Sequence, residues 1–566
     1  MGACKQCSSQ IQSKSNISLK KSPLVLLSSS SSARKQYPSF EYTFTILLVD
    51  DTQQLQTRGC FSLRSSQHLS VLLAHPSQRF SHAPMATNRL LLIGGKLVFA
   101  EGRKVAEVIN PATGAAFASV PEASREDLNL AVRAAKEAFK SWKKTSFQER
   151  ANCLVSFADK LQSRRDMFAK ALTQEQGKPL ALATGEVDGV IRQCFRLAKE
   201  DLLKPEVVSS NKHGRVELHY VPRGVVGAIT PWNFPMAMAA NKMFPSVITG
   251  NTVVIKPSPY TPLTTIMMGE IAKDVFPPGV MNIVSGGNEL GQWIVEHPSI
   301  SHVTFTGSEA TGKSIMKTAA GTLKKLTLEL GGNDAAIVMP ETNVDEVAPK
   351  IFKAAMFNSG QTCVSIKRVY VHKSQYEDMV GKLSKIASSA TVGDGLKEGV
   401  SYGPMNNKAQ LERLEMLVED ARKAGGRIVA GGERLVLEGN EGGYFYEPTI
   451  VADLKDDDRL VKEEQFGLAL PILKYEEVDE ALERANSSEY GLGGSVWGPD
   501  AEKAAEVAVQ LESGMSWVNQ HLTSNENAPF GGVKSSGIGR EGGGAIGLKE
   551  FVEVKSLFVK PLKTGV

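Results

Sequence analysis

At 566 residues, 42% of them apolar and 22% charged, the chain is too long for one small domain and has an ordinary globular make-up. Its formal charge of +4 is uneven: residues 1–84 carry +6 and the remainder −2, so the globular part offers no electrostatic case for nucleic acid. Only Cys153, Cys194 and Cys363 fall in that part, without CxxC spacing, which argues against a disulfide scaffold and a zinc site and fits a reducing compartment.

Residues 1–84 are basic, poor in acids and rich in Ser, with a run of five at 28–32. Such a composition packs no core and fits a transit peptide to mitochondrion or plastid. A second reading is upstream sequence ahead of Met85 in a cytoplasmic protein. Apolar runs such as 44–49 are too short to span a bilayer, so no membrane span is expected.

The globular part begins with helical patterns. Residues 124–143 form an amphipathic helix that Ser124 can cap, with Leu128, Val132, Ala135, Phe139 and Trp142 on one face. A second helix, 147–172, starts at the capping box Ser146-Phe147-Gln148-Glu149. Cys153 and Cys194 read as helix residues without chemistry. A polar hairpin over 206–221 turns at Ser210-Asn211-Lys212-His213-Gly214, and its bare edge suits a partner subunit.

From Gly224 the pattern changes. Apolar runs at 224–229, 252–255, 280–284 and 302–305 alternate with helices, which implies a doubly wound parallel sheet. Such sheets bind ligands beyond the carboxyl ends of their strands. Those ends carry Thr230-Pro231-Trp232-Asn233-Phe234-Pro235, then Lys256-Pro257-Ser258-Pro259, then Thr306-Gly307-Ser308 entering a helix. Free helix N–H groups there can receive a phosphate, although a Gly-Ser turn also serves as plain capping. A second α/β region runs from 335 to about 535 with strands near 368–372 and 447–452, and 551–560 is a last strand. Glu329 and Cys363 are expected in loops. A thiol can form a covalent intermediate and a carboxylate can activate the water that clears it, whereas a lone Cys otherwise reads as a small buried apolar residue.

The globular part, roughly 90–560, resembles the aldehyde dehydrogenase superfamily. The stretches that carry the likeness are Pro231-Trp232-Asn233-Phe234-Pro235, Lys256-Pro257-Ser258, Phe305-Thr306-Gly307-Ser308, Leu328-Glu329-Leu330-Gly331-Gly332, Gly360-Gln361-Thr362-Cys363, Glu463-Glu464-Gln465-Phe466-Gly467 and Pro529-Phe530-Gly531-Gly532, in matching order. The resemblance implies a Rossmann-type cofactor domain (85–204 and 223–330), a second α/β catalytic domain (331–535) and a small β oligomerisation arm (205–222 and 551–562) of a homodimer or homotetramer. It implies Cys363 as nucleophile, Asn233 with the Cys363 backbone N–H as oxyanion donors, Glu329 as the base for water, and Glu541 in a proton relay. NAD, with NADP possible, would lie on Thr230, Pro231, Trp232, Lys256, Ser258, Gly307, Ser308, Glu464 and Phe466. No metal is implied.

Two departures bear on specificity. Many relatives place Glu at the position of Pro259, where it binds the adenosine ribose and repels a 2′-phosphate, so NAD with NADP tolerated is expected. Succinate-semialdehyde dehydrogenases place arginines at the positions of Asn241 and Phe357, so an aldehyde with a neutral or apolar tail is expected. The rival readings are a succinate-semialdehyde-type enzyme, an acylating enzyme using coenzyme A (which Glu329 argues against) and a catalytically silent scaffold of the same fold.

Overall fold

The computed structural model describes residues 90–99 and 101–561, together with the backbone of Tyr42–Val49 and Leu55–Leu63. Those two strands pair with each other antiparallel. The transit-peptide and upstream-sequence readings of 1–84 otherwise lie outside the described residues.

An eight-stranded sheet has the spatial order Gly537–Ile538, Lys325–Glu329, Ile300–Thr306, Val225–Ile229, Thr252–Lys256, Met281–Ile283, Leu91–Ile93, Lys96–Val98. The five strands from Lys325–Glu329 to Met281–Ile283 run parallel, and antiparallel strands join at both sides. Val225–Ile229 and Thr252–Lys256 are buried at every residue because helices cover both faces. Phe147–Gln162, Leu180–Lys199, Pro235–Ile248 and Leu263–Val275 share a core with one face. Arg125–Trp142, Asn288–Glu296 and Glu309–Ala319 pack on the other. Chain order reverses between Val225–Ile229 and Ile300–Thr306, the point at which such a sheet opens a crevice beyond its carboxyl ends.

A seven-stranded sheet follows in the order Arg427–Ala430, Thr449–Ala452, Ala469–Tyr475, Ile366–His372, Asp334–Val338, Gly493–Trp497, Met515–Val518. It is parallel except for the Arg427–Ala430 edge. Glu206–Asn211 and Gly214–Pro222 form the expected hairpin, and Val552–Val559 pairs with its second strand. Every residue of Glu206–Asn211 is exposed.

Two expectations need correction. The helix expected over 147–172 is two helices, Phe147–Gln162 and Arg165–Gln176. The chain closes the first at Ser163-Arg164, while Leu161 and Phe168, both buried, continue the apolar pattern across the break and conceal it. Glu329 is not in a loop: it is the last residue of the Lys325–Glu329 strand, pinned opposite Gly537.

Candidate active site

Cys363 follows a kinked left-handed segment within Phe357–Gly360, in which Asn358, Ser359 and Gly360 take φ of 53°, 57° and 72° in succession. Left-handed backbone is costly for Asn and Ser and persists only where neighbours impose it. The Asn358 amide donates to the carbonyls of Asn233 (3.1 Å) and Gln361 (3.3 Å), and the Ser359 hydroxyl donates to that of Gly403 (2.9 Å). The Gln361 side chain donates to the Asn358 carbonyl (3.0 Å) and accepts from the Asn406 N–H (2.8 Å). At Gly360 a Cβ would stand 2.1 Å from the Gly467 carbonyl oxygen, so the thiol turn and the Glu464–Gly467 segment meet backbone to backbone.

The half-buried Cys363 thiol is pushed well above its ordinary pKa by burial and then by the Glu329 charge, with Glu464 and Asp334 adding to this and Lys367 opposing it. Glu329 is 3% exposed, and neither carboxylate oxygen has a hydrogen-bond partner among the described residues. Burial, then the Glu541 charge, pushes its pKa well up against Lys242 and Arg540. The Gly331-Gly332 pair after Glu329 lets the strand end meet the thiol turn: a Cβ at Gly332 would lie 2.5 Å from the Cys363 carbonyl oxygen. The Asn233 amide donates to the Gln361 carbonyl (3.0 Å), which holds it against the same turn. The structure thus brings Cys363, Glu329 and Asn233 together. Glu541 stands behind Glu329, bonded to the Lys242 ammonium at 2.5 Å.

The other expected positions gather at the carboxyl ends of the first sheet. Thr230 and Thr306, beyond Val225–Ile229 and at the end of Ile300–Thr306, both bury hydroxyls without partners among the described residues. Lys256 is buried rather than a surface charge. Its ammonium reaches the carbonyls of Pro257 and Gly286, both at 3.1 Å, and burial lowers its pKa to about 8. Ser258 lies buried just beyond it. The Gly307 N–H donates to the Glu329 carbonyl (3.0 Å), and Ser308 caps the Glu309–Ala319 helix. Glu464 accepts from the Gly332 N–H (3.0 Å), and burial raises its pKa. Half-buried Pro231 leads into Trp232, whose ring meets Phe466 edge-on at 5.3 Å, with Phe466 itself at φ 51°.

The sequence model of the aldehyde dehydrogenase family matches residues 98–557. The chain belongs to that family. It is similar to the mitochondrial aldehyde dehydrogenase of Leishmania tarentolae, 40% identical over 84% of this chain and 95% of the relative. It is also similar to the mitochondrial succinate-semialdehyde dehydrogenase of Arabidopsis thaliana, 37% identical over 90% and 98%. Among solved structures, the NAD+ complex of an aldehyde dehydrogenase from Bacillus cereus matches with a TM-score of 0.80 and 37% identity, covering 84% of this chain and 97% of that one. The chain therefore has the aldehyde dehydrogenase fold and is an enzyme of that family.

This aldehyde dehydrogenase also holds groups that the sequence reading missed. Lys242 lies fully buried on the Pro235–Ile248 helix and touches Thr304 (3.2 Å) besides Glu541. A single charged residue in that helix was the available signal. Lys178 is also fully buried, and its ammonium donates to Glu186 (2.6 Å) and to the Asn233 carbonyl (2.9 Å). Glu186 in turn accepts from the Met236 and Ala237 N–H groups (3.0 Å each), in place of the side-chain cap that Phe234 cannot give the helix.

Proposed function

We propose that this aldehyde dehydrogenase oxidises an aldehyde to the carboxylic acid through a thiohemiacetal and a thioester on Cys363. The observation that carries the reading is the buried Glu329 carboxylate, without a hydrogen-bond partner among the described residues, whose charge bears on the Cys363 thiol. The Cys363 thiolate forms a bond to the carbonyl carbon, and the displaced electron pair moves to the oxygen. The Asn233 amide and the Cys363 backbone N–H receive that oxygen as fixed donors. NAD(P)+, when bound, supplies the hydride acceptor that makes the thioester accessible. Glu329 then takes a proton from water, the water oxygen adds to the thioester carbon, and the C–S bond breaks. The Glu541 carboxylate, held by the Lys242 ammonium, would then receive the proton of Glu329.

Thr230 and Thr306 hydroxyls without partners among the described residues and buried Lys256 at the end of the first sheet, with half-buried Glu464 facing them from the second region, supply the polar groups that a dinucleotide requires. Lys256 and Ser258 would hold the adenosine ribose, Gly307 and Ser308 the pyrophosphate, and Glu464 the nicotinamide ribose. Thr230, Pro231, Trp232 and Phe466 would line the nicotinamide end. The Bacillus cereus relative is in a NAD+ complex, and a 3,6-anhydro-L-galactose dehydrogenase with 32% identity and a TM-score of 0.80 is in complex with NAP. With Pro259 in place of a ribose-binding carboxylate, NAD serves and NADP is accepted.

For substrate, an aldehyde with an apolar or aromatic tail fits best. The Phe234 and Phe357 rings lie stacked, 6.0 Å apart at 18°, beside Asn233. Asn241 is engaged by the neutral Gln193 amide at 2.9 Å. Succinate semialdehyde is the second reading, favoured by the name of the Arabidopsis relative. Residues 85–204 and 223–330 would form the cofactor domain and 331–535 the catalytic domain. The arm at 205–222 and 551–562 would pair subunits into a dimer or tetramer. No described helix is long and apolar enough to cross a membrane. The two curated relatives are named mitochondrial, which supports a transit-peptide role for residues 1–84.

The test is reduced-cofactor formation on aliphatic, aromatic and carboxylated aldehydes, with and without coenzyme A. Turnover that falls more than about 10⁴-fold in Cys363→Ala supports the reading. Succinate semialdehyde as the preferred substrate would overturn the apolar tail, coenzyme A dependence would mark an acylating enzyme, and inactivity on the whole panel would mark a silent scaffold.

A further inference from the structure

Lys367 is the second residue of the Ile366–His372 strand, yet its side chain folds back beneath the nucleophile turn. The ammonium donates to the carbonyls of Thr362 (2.7 Å), Cys363 (3.1 Å) and Ser365 (3.4 Å). Three donors meet three peptide oxygens, which is the full capacity of an ammonium group. The intervening carbonyl, that of Val364, lies 2.7 Å from the His521 ring. Side chains thus contact every carbonyl from Thr362 to Ser365. Lys367 is 3% exposed and stands 3.8 Å from Glu464, a looser approach than its carbonyl bonds.

The charges around the sulfur explain why a cation is needed here. Glu329, Glu464 and Asp334 all disfavour the thiolate. His521 pairs with Asp334 at 3.6 Å, and Arg413 reaches Glu463 and the Glu464 carbonyl, so these two groups are directed at other partners. Arg368, next along the strand, is spent on the carbonyls of Asn333 and Ala485. Among the described residues the one carboxylate within 4 Å of Lys367, that of Glu464 at 3.8 Å, lies farther off than the Thr362 and Cys363 carbonyls, so the ammonium charge sits chiefly on the peptide groups that carry the thiol. A nearby cation favours a thiolate, and the effect is strong where water is excluded.

We propose that Lys367 is a positioning residue for the thiol: it fixes the Thr362–Ser365 turn by its carbonyls and supplies the positive charge that sustains the Cys363 thiolate among three carboxylates. The proposal rests on Cys363 as the nucleophile. It separates two duties, tethering and charge, that different replacements can divide. Gln can still donate to carbonyls but is neutral, Met fills the space without either property, and Arg keeps the charge.

The experiment follows alkylation of Cys363 by iodoacetamide across neutral and alkaline pH in the full chain without cofactor. Modification is read by mass spectrometry of the Cys363 peptide. In Lys367→Met and Lys367→Gln the midpoint is expected to rise by at least about one pH unit, a tenfold slower reaction below the midpoint, while Lys367→Arg stays near the parent. Should the Met variant not fold, the Gln and Arg variants carry the comparison. Midpoints that stay at the parent value in Gln and Met, or that shift equally in Gln, Met and Arg, overturn the proposal. With such midpoints, turnover still lost in Cys363→Ala leaves the nucleophile assignment standing. Turnover kept in Cys363→Ala removes that assignment, and this proposal with it.

Discussion

Two buried lysine–glutamate pairs meet the Pro235–Ile248 helix, one at its N-terminal end and one within it, and they are built differently. At its N-terminal end, Lys178 and Glu186 are bonded to each other and to backbone: the ammonium to the Asn233 carbonyl, the carboxylate to two helix N–H groups. Further along, Lys242 and Glu541 touch each other and Thr304, and their charges act on Glu329, whose oxygens have no partner among the described residues. The first pair meets its needs locally and locks Asn233 in place. The second acts on a carboxylate left open for a reactant. Buried charge with its bonds completed is architecture, and buried charge facing an unpartnered acceptor is chemistry.

The strongest way to sharpen that contrast is Glu329→Gln. Steady-state turnover should fall about 10²–10⁴-fold while a first burst of reduced cofactor survives, because acylation precedes the step that needs the base. Stopped-flow measurement reads both, and loss of the burst would place Glu329 in the earlier step. Next comes Lys178→Met, which strands the Glu186 carboxylate and should cost about 3–5 kcal/mol in urea unfolding. A small stability loss there would contradict the architectural role.

The Lys242–Glu541 pair should instead move the pH profile. Protonated Glu329 cannot accept a proton, so deacylation is lost as pH falls through its pKa. Since burial and Glu541 raise that pKa, the acid limb should lie above the ordinary carboxylate range. Removing the neighbouring negative charge in Glu541→Gln should bring the limb down, and Lys242→Met should take it up, each by about one unit. Shifts of the opposite sign would sink the electrostatic link. The smallest effect belongs to an exposed pair, Arg434 with Glu415 at 2.6 and 2.7 Å: Arg434→Ala should change stability by less than about 1 kcal/mol.

Much of this was readable from the chain because local chemistry and global fold coincide. The apolar run at 224–229 could only be a doubly covered strand, and polar residues at its end and at two other strand ends located the crevice. Cys363 and Glu329 emerged from motif order. What stayed hidden had no local signature. Lys242 finds Glu541 across 299 positions, a distance at which periodicity carries no information. Gly537–Ile538 is too short to show a strand pattern, yet it pairs with Leu328 and Glu329 at the sheet's edge. Lys367 fell outside the strand expected near 368–372, and only the backward fold of its side chain reveals its contacts.

The bare seam between Gly360 and Gly467 has a mechanical consequence. Side chains at an interface can rotate to absorb a displacement, but two backbones in direct contact cannot. Leu414 and Met405 press on Gly467 from its other side, where a Cβ would lie 2.9–3.0 Å from them. A shift of the Glu464–Phe466 segment should therefore carry the turn before Cys363 with it, because no side chain stands between the two backbones to yield.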